Sequence, residues 1–106
     1  MNLTTFVAGI KDKPLDVMAR EVDEAAYRAE RDEKAFRRSD LQRAEEAREA
    51  RRVLGGIGFF LHHTAKADGL TDTEFAALKP LAESLVERGT WKPEAINVFE
   101  PNPPAR

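Results

Sequence analysis

The fold of this chain is decided by residues 14–54, which read PLDVMAREVDEAAYRAERDEKAFRRSDLQRAEEAREARRVL. After Pro14, no glycine or proline interrupts the stretch before Gly55, and most of its residues are strong helix formers. Pro14 suits a first helical turn, and Asp12 precedes it as a capping residue. We therefore predict one long, charged helix over 14–54, about 60 Å long.

A helix that breaks near Arg38 and restarts is the alternative. The run Ser39-Asp40-Leu41-Gln42 matches a capping box, which marks a helix N-terminus. Acidic residues followed one turn later by basic residues instead support a continuous solvated helix, each pair by about 0.2–0.5 kcal/mol. These pairs are Asp16–Arg20, Glu24–Arg28, Glu30–Lys34 and Glu33–Arg37. We favour the continuous helix.

One narrow stripe of this helix is apolar when successive residues are placed about 100° apart. Its members are Leu15, Met18, Val22, Ala25, Ala29, Phe36, Ala47 and Leu54. The stripe is bulky in its first half and rich in alanine in its second half. Such a seam is typical of a coiled-coil contact.

Shorter helices are predicted on both sides of the long one. Residues 3–10 form an amphipathic segment, which we expect to pack as a flap on the core, with an exposed docking arm as the alternative. The three glycines at 55, 56 and 58 mark either a bend or a close approach between helices. The following face, from Ile57 to Ala65, should be the most buried part of the protein.

The last third contains clear helix punctuation. Thr71-Asp72-Thr73-Glu74 is a capping box, and Gly89 supplies a C-terminal stop. Pro80 should kink the helix between them near Leu78 or restart it. A short final helix around Pro93 should pack Trp91, Ile96 and Phe99 on the others.

The predicted fold is all-α: one long charged amphipathic helix, followed by two or three shorter helices packed as a small bundle. We expect a single helical domain over 1–100, with the long helix at about 14–54 and the compact helical part at about 57–99. Residues 101–106 should form a proline-rich, extended tail.

Composition excludes several classes of protein. The 106 residues include 17 basic and 19 acidic side chains with interleaved signs, which disfavours a nucleic-acid surface. There is no cysteine, so disulfides and thiolate metal sites are excluded. The longest apolar run, 53–61, is about half of what a bilayer crossing needs, and we see no secretion signal. We expect a soluble protein of the cytoplasm, or of a virion if it derives from a phage.

Candidate chemistry is sparse. His62 and His63 are adjacent, so on a helix they point about 100° apart and cannot readily share a metal ion, even with Asp68 nearby. We expect His62 to be solvated and His63 to pack beside Phe59. The segment from Asp68 to Glu74 lacks the register of a calcium-binding EF-hand loop. We predict no catalytic residues, no metal and no cofactor.

The segment 65–79 carries a resemblance to known families. Its run Ala67-Asp68-Gly69, followed by the capping box and Ala76-Ala77-Leu78-Lys79, resembles the short helical motif called SHOCT. It is also similar to the Ala-Asp-Gly turn of tellurite-resistance-B-like helical domains. The resemblance implies a small interaction or oligomerisation element and assigns no functional residue.

The function predicted from the sequence is a non-enzymatic protein–protein interaction module, either a small inhibitor or adaptor, or a structural component of a larger assembly such as a phage particle. Shorter helices cannot cover a seam of about 60 Å, so part of it should be exposed and bind a protein partner or a second copy. The predicted partner-binding residues are Leu15, Met18, Val22, Ala25, Ala29 and Phe36. The alternative is a nucleic-acid-associated regulator that uses the Arg48–Arg52 cluster. An enzyme or metal protein around His62, His63 and Asp68 is the third hypothesis.

Overall fold

A computed structural model describes residues 1–100 as a set of helices. These are α1 (Leu3–Ile10), α2 (Leu15–Phe36), α3 (Leu41–His63), α4 (Asp72–Ala76), α5 (Lys79–Glu87) and a final 3-10 helix (Pro93–Phe99). No strand occurs in this range, so the predicted all-α bundle is confirmed. The predicted proline-rich tail, 101–106, lies outside the described residues.

The long predicted helix is instead a helical hairpin, and the prediction of one continuous helix over 14–54 is wrong. After Phe36 the chain turns through four residues and returns as α3, antiparallel to α2. The backbone N–H of Asp40 donates to the Phe36 carbonyl, and the Asp40 side chain accepts from the Arg43 N–H at 3.1 Å. The restart is therefore capped by Asp40, one residue after the Ser39 that the sequence pattern indicates.

The hairpin, α2 and α3, is the longest part of the molecule, whose dimensions are 54 × 33 × 20 Å. The other helices gather at its base, which we define as the part of α2 and α3 farthest from the turn. Phe60 of α3 is fully buried there and makes edge-to-face contacts with Phe75, Trp91 and Phe99, at centroid distances of 5.3–5.6 Å. The predicted packing of Trp91 and Phe99 on the earlier helices is confirmed.

The flap formed by α1 also packs at the base, where it contacts α5. Asn2 caps this helix, and Val7 and Ile10 are buried in the same core cluster as Met18 and Phe60. The Lys11 carbonyl after α1 accepts hydrogen bonds from Ser84 at 2.6 Å and from Arg88 at 3.0 Å, both of the α5 region. The first helix is thus packed on its own chain, which confirms the prediction that residues 3–10 form a flap on the core.

The glycine run lies inside α3 and does not end it. A close approach does occur at one of these glycines, although a loop makes the contact and not the helix that the alternative predicted. Gly56 is buried where Leu70, in the loop before α4, packs directly on the α3 backbone. A Cβ atom at position 56 would overlap the Leu70 side chain, whereas one at Gly55 would have no neighbour within 4 Å. Gly56 therefore allows the loop to approach the helix.

The later helices begin and end at the predicted signals. Thr71 and Glu74 form both hydrogen bonds of the capping box that opens α4. A new helix, α5, starts at Lys79 with Pro80 in its first turn, which confirms a restart at the proline. Gly89 has φ +76°, and the Thr90 N–H donates to the Leu85 carbonyl, so α5 ends in a Schellman motif.

Alanine substitutions at Gly55 and Gly56 should have opposite effects on stability. Gly55→Ala removes a flexible residue from a helix and should raise the free energy of unfolding by about 0.5–1 kcal/mol. Gly56→Ala should lower it by about 1–3 kcal/mol, because Leu70 must move. Urea unfolding followed by circular dichroism measures both changes. Stabilisation by both alanines would show that Leu70 does not pack against Gly56.

Candidate interaction surface

The six predicted partner-binding residues do not form one uncovered seam, and that expectation is wrong. Met18, Val22 and Ala29 are buried, with Met18 and Val22 at 0% and 1% exposure, because α3 and α1 pack over them. Leu15, Ala25 and Phe36 are half-buried. The seam was expected to need a partner because the long helix was expected to continue, and the turn after Phe36 supplies the cover from within the chain.

Part of the predicted seam nevertheless lies on an open surface. A groove of about 280 Å³ runs between α2 and α3 on the side that faces the start of the chain. We call this surface the hairpin groove and define it by its apolar lining, which consists of Met1, Phe6, Ala25, Ala29, Ala47, Ala50 and Leu54. Two of the six predicted residues, Ala25 and Ala29, belong to it.

The hairpin groove continues toward the turn. The adjoining depression, of about 350 Å³, shares Asp32 and Ala47 with it and is otherwise lined by Phe36, Arg43 and Glu46. A third predicted residue, Phe36, is therefore at the outer end of the same surface. The Arg43 guanidinium lies 5.2 Å above the Phe36 ring, which gives this end a cation–π contact.

The turn itself is strongly basic. We call residues 34–43 the hairpin tip; it contains Lys34, Arg37, Arg38 and Arg43 against the single acidic residue Asp40, a net charge of +3 in a chain of net charge −2. Arg37 and Arg38 are exposed and make no ion pair within residues 1–100. Leu41, the first residue of α3, is 72% exposed. Lys34 and Arg43, in contrast, are paired with Glu30 and Asp40 at 3.4 and 3.6 Å, so the free positive charge of the hairpin tip is that of two arginines.

The Arg48–Arg52 cluster is, in contrast, neutralised by the protein's own carboxylates. Arg48 pairs with Glu45 at 2.9 Å, and Arg51 reaches across the hairpin to Glu33 at 2.8 Å. Arg52 pairs with Glu49 at 2.9 Å and with Glu74 at 2.8 Å. These three arginines are engaged in intramolecular contacts and are not presented together to a phosphate backbone.

Arg52 joins α3 to α4 and to the loop that precedes it. Its two terminal nitrogens each donate to one Glu74 oxygen at 2.8 Å, and it also donates to the Gly69 carbonyl. The guanidinium, together with the Thr71 backbone N–H, lowers the pKa of Glu74 to about 2. The same carboxylate, followed by that of Glu49, raises the pKa of Arg52. Glu74 thus caps its own helix and fixes that helix to α3.

The histidines are arranged as the sequence predicts. The His63 ring lies 4.5 Å from that of Phe59, and both histidines are exposed. Within residues 1–100 no group of three or more metal-ligating side chains comes together. No helix in that range is long and apolar enough to cross a membrane.

Comparisons with known proteins return no relative. The chain matches no family model, no curated protein and no solved structure. The resemblance of 65–79 to SHOCT-type and tellurite-resistance-B-like motifs stays a prediction. The site is therefore defined by geometry alone, as an apolar groove that ends beside a turn with two exposed arginines.

Sequence reasoning missed the hairpin tip and the far wall of the groove. Both follow from the turn: Leu41, Arg37 and Arg38 become an exposed end, and Ala50 becomes a neighbour of Ala29, only if the chain reverses there. The signal was present in Asp40, an N-cap residue that follows the polar run Arg37-Arg38-Ser39. It was outweighed by the helix-supporting ion pairs.

The Arg52–Glu74 ion pair should make stability depend on pH. Since folding lowers the pKa of Glu74 from 4.5 to about 2, its carboxylate stabilises the native state fully above about pH 5, and that contribution is lost as pH falls toward 2. Glu74→Gln should lower the free energy of unfolding near neutral pH by about 1–2 kcal/mol. It should also flatten the acid limb of stability against pH, measured by urea unfolding.

Glu83→Gln is the matched control, since Glu83 is exposed and makes no ion pair among the described residues. Its curve should coincide with that of the wild type. Parallel acid limbs for the wild type and Glu74→Gln would contradict the role assigned to this carboxylate.

Proposed function

We propose that the protein is a non-enzymatic protein–protein interaction module whose binding surface is the hairpin groove. The observation that carries this proposal is the apolar lining that the chain's own helices leave open between α2 and α3. Alanines on both walls, Ala25 and Ala29 facing Ala47 and Ala50, allow a further helix to approach closely. A groove between two antiparallel helices fits the helix-in-groove mode of recognition.

Charge specifies the kind of helix that fits. The outer end of the groove has Arg43, Asp32 and Glu46 in its lining. Beyond it, the turn carries Arg37 and Arg38, which are exposed and unpaired among the described residues. The fitting ligand is a helix that has an apolar stripe for the groove and an acidic end beside the tip. Complementary charge of this kind sets orientation and speeds association more than it adds affinity.

Such a surface suits either role expected from the sequence, a small inhibitor or adaptor, or a structural component of a larger assembly. It gives less support to a nucleic-acid-associated regulator acting through Arg48–Arg52. Each arginine of that cluster that faces solvent holds a carboxylate of the same molecule within 2.9 Å. To bind a phosphate, these arginines would have to give up their intramolecular ion pairs, and the free energy lost in doing so opposes binding.

A synthetic helical peptide with a leucine stripe and a glutamate-rich end tests the proposal. Labelled peptide should bind the wild-type protein, as measured by fluorescence anisotropy, and a version with a lysine-rich end should bind about tenfold more weakly. Ala47→Glu places a charge in the groove beside Asp32 and Glu46, so it should abolish binding of the glutamate peptide.

The matched control is Ala76→Glu, an exposed alanine on α4 outside the groove, which should leave peptide affinity unchanged. Circular dichroism verifies that each variant is folded. Equal affinity for both peptides, or equal loss in Ala47→Glu and Ala76→Glu, would overturn the assignment of the groove as the binding surface.

A further inference from the structure

The turn between α2 and α3, residues 37–40, is held by its own residues alone. The N–H groups of Ser39 and Asp40 both donate to the Phe36 carbonyl, at 3.2 and 2.9 Å. Within residues 1–100, no hydrogen bond from another part of the fold reaches the backbone of this turn. Arg37, Arg38 and Ser39 are all exposed. The turn is therefore accessible from outside and weakly anchored.

The two arginines of the turn are free to enter a binding pocket. Neither Arg37 nor Arg38 makes an ion pair in the described part of the chain, so no intramolecular contact has to be broken. A carboxylate recognises a guanidinium through two parallel hydrogen bonds. Endoproteases that cut after basic residues carry such a carboxylate in the pocket that selects the residue before the cut.

The half of the hairpin next to the turn can open locally. A protease binds several residues of its substrate in extended form, so the last turn of α2 must unwind together with the loop. In this half the facing side chains are mainly alanines, such as Ala29 and Ala47, and the Glu33–Arg51 bridge crosses it. Segments that bury little apolar area open without global unfolding, and exposed loop tips are preferred sites of cleavage.

The other basic residues outside the helices of residues 1–100 are poorer substrates. They are Lys11, Lys13, Lys66, Arg88 and Lys92. Lys13 and Lys92 directly precede Pro14 and Pro93. A proline ring on the far side of the peptide bond obstructs cleavage by proteases of this kind, because it replaces the N–H group and fixes the backbone.

Tertiary contacts protect the remaining three. The Lys11 carbonyl, at the bond that would be cut, accepts a hydrogen bond from Arg88 at 3.0 Å, and the same contact occupies the Arg88 guanidinium. Lys66 is exposed, but the next residue, Ala67, packs against the core, and the buried Leu70 holds the loop on α3. The free arginines of the hairpin tip thus have no equivalent in the other loops of residues 1–100.

We propose that the hairpin tip is a proteolytic processing site, at which an endoprotease with an acidic specificity pocket hydrolyses the Arg38–Ser39 bond of the folded protein. Water gives its hydroxyl group to the Arg38 carbonyl carbon, the C–N bond breaks, and the remaining proton goes to the Ser39 nitrogen. At neutral pH the products end in an Arg38 carboxylate and a Ser39 ammonium. This bond lies in the middle of the turn, whereas the Arg37–Arg38 bond is closer to the end of α2. The inference is independent of the proposed function.

The two products should stay assembled through the base of the hairpin. The fragment 1–38 contains Val7, Met18 and Val22, which are buried in one core cluster with Phe60 and Leu81 of the fragment 39–106. Cleavage removes the covalent link at the turn and leaves these contacts in place. The cut therefore frees the two ends of the hairpin tip without dismantling the core.

Limited digestion of the full chain with trypsin tests the inference. Mass spectrometry at early times should identify 1–38 and 39–106 as the first products, and they should elute together in size-exclusion chromatography and separate in urea. Trypsin also cuts after lysine, so the Lys66–Ala67 bond competes in the same reaction. A first cut after Lys66, or simultaneous cuts inside α2 and α3, would overturn the processing site. Fragments that elute separately without urea would overturn their assembly through the base.

Arg37→Gln/Arg38→Gln removes both recognised side chains and should slow the first cut at least about tenfold, because the bidentate contact with the protease is lost. The matched control is Arg28→Gln/Arg31→Gln, which removes the same charge from two exposed arginines inside α2 and should leave the rate at Arg38–Ser39 unchanged. Circular dichroism verifies that both variants are folded. A wild-type rate of digestion in the turn variant, or equal slowing in both variants, would contradict recognition of the turn.

Discussion

The structure depends on the reversal of the chain after Phe36, which lets the apolar stripes of α2 and α3 bury each other. A continuous helix over 14–54 would keep its backbone hydrogen bonds but expose Met18, Val22 and Leu54 to water. Burial stabilises by about 25 cal/mol per Å² of apolar surface, or about 1.5–3 kcal/mol for one large side chain. The turn loses only a few helical hydrogen bonds, and the Asp40 cap recovers part of them. Mutual burial therefore outweighs helix continuity.

Contacts with the base of the hairpin position the second half of the chain. Gly56 leaves room for Leu70, and Phe60 projects into the aromatic cluster of Phe75, Trp91 and Phe99. The Arg52–Glu74 pair adds direction to these apolar contacts, because a bidentate pair holds one relative orientation of two helices. Glu74 takes part in both kinds of contact, because it caps its own helix and also binds Arg52 of α3.

Much of the fold could be predicted from the sequence, since its signals were local. The capping box at Thr71, the restart at Pro80 and the stop at Gly89 depend on neighbouring residues and occur where expected. The break at Asp40 could not be decided in the same way, since local pairs favour the continuous helix and only tertiary burial favours the turn. The same difficulty applies to the candidate site. Ala25 and Ala29 could be identified from the apolar stripe of one helix, whereas Ala50 and the hairpin tip join the site only because the chain reverses.

The uneven distribution of bulky side chains along the hairpin has a consequence for its motions. Near the base, Met18, Ile57 and Phe60 are fully buried, whereas the half toward the turn is held mainly by alanines and by the Glu33–Arg51 bridge. Contacts that bury little area confer little local stability, and such regions open without global unfolding. The hairpin should therefore open first at its turn while its base stays closed. Backbone amides should exchange with deuterium fastest around Ser39 and slowest around Phe60.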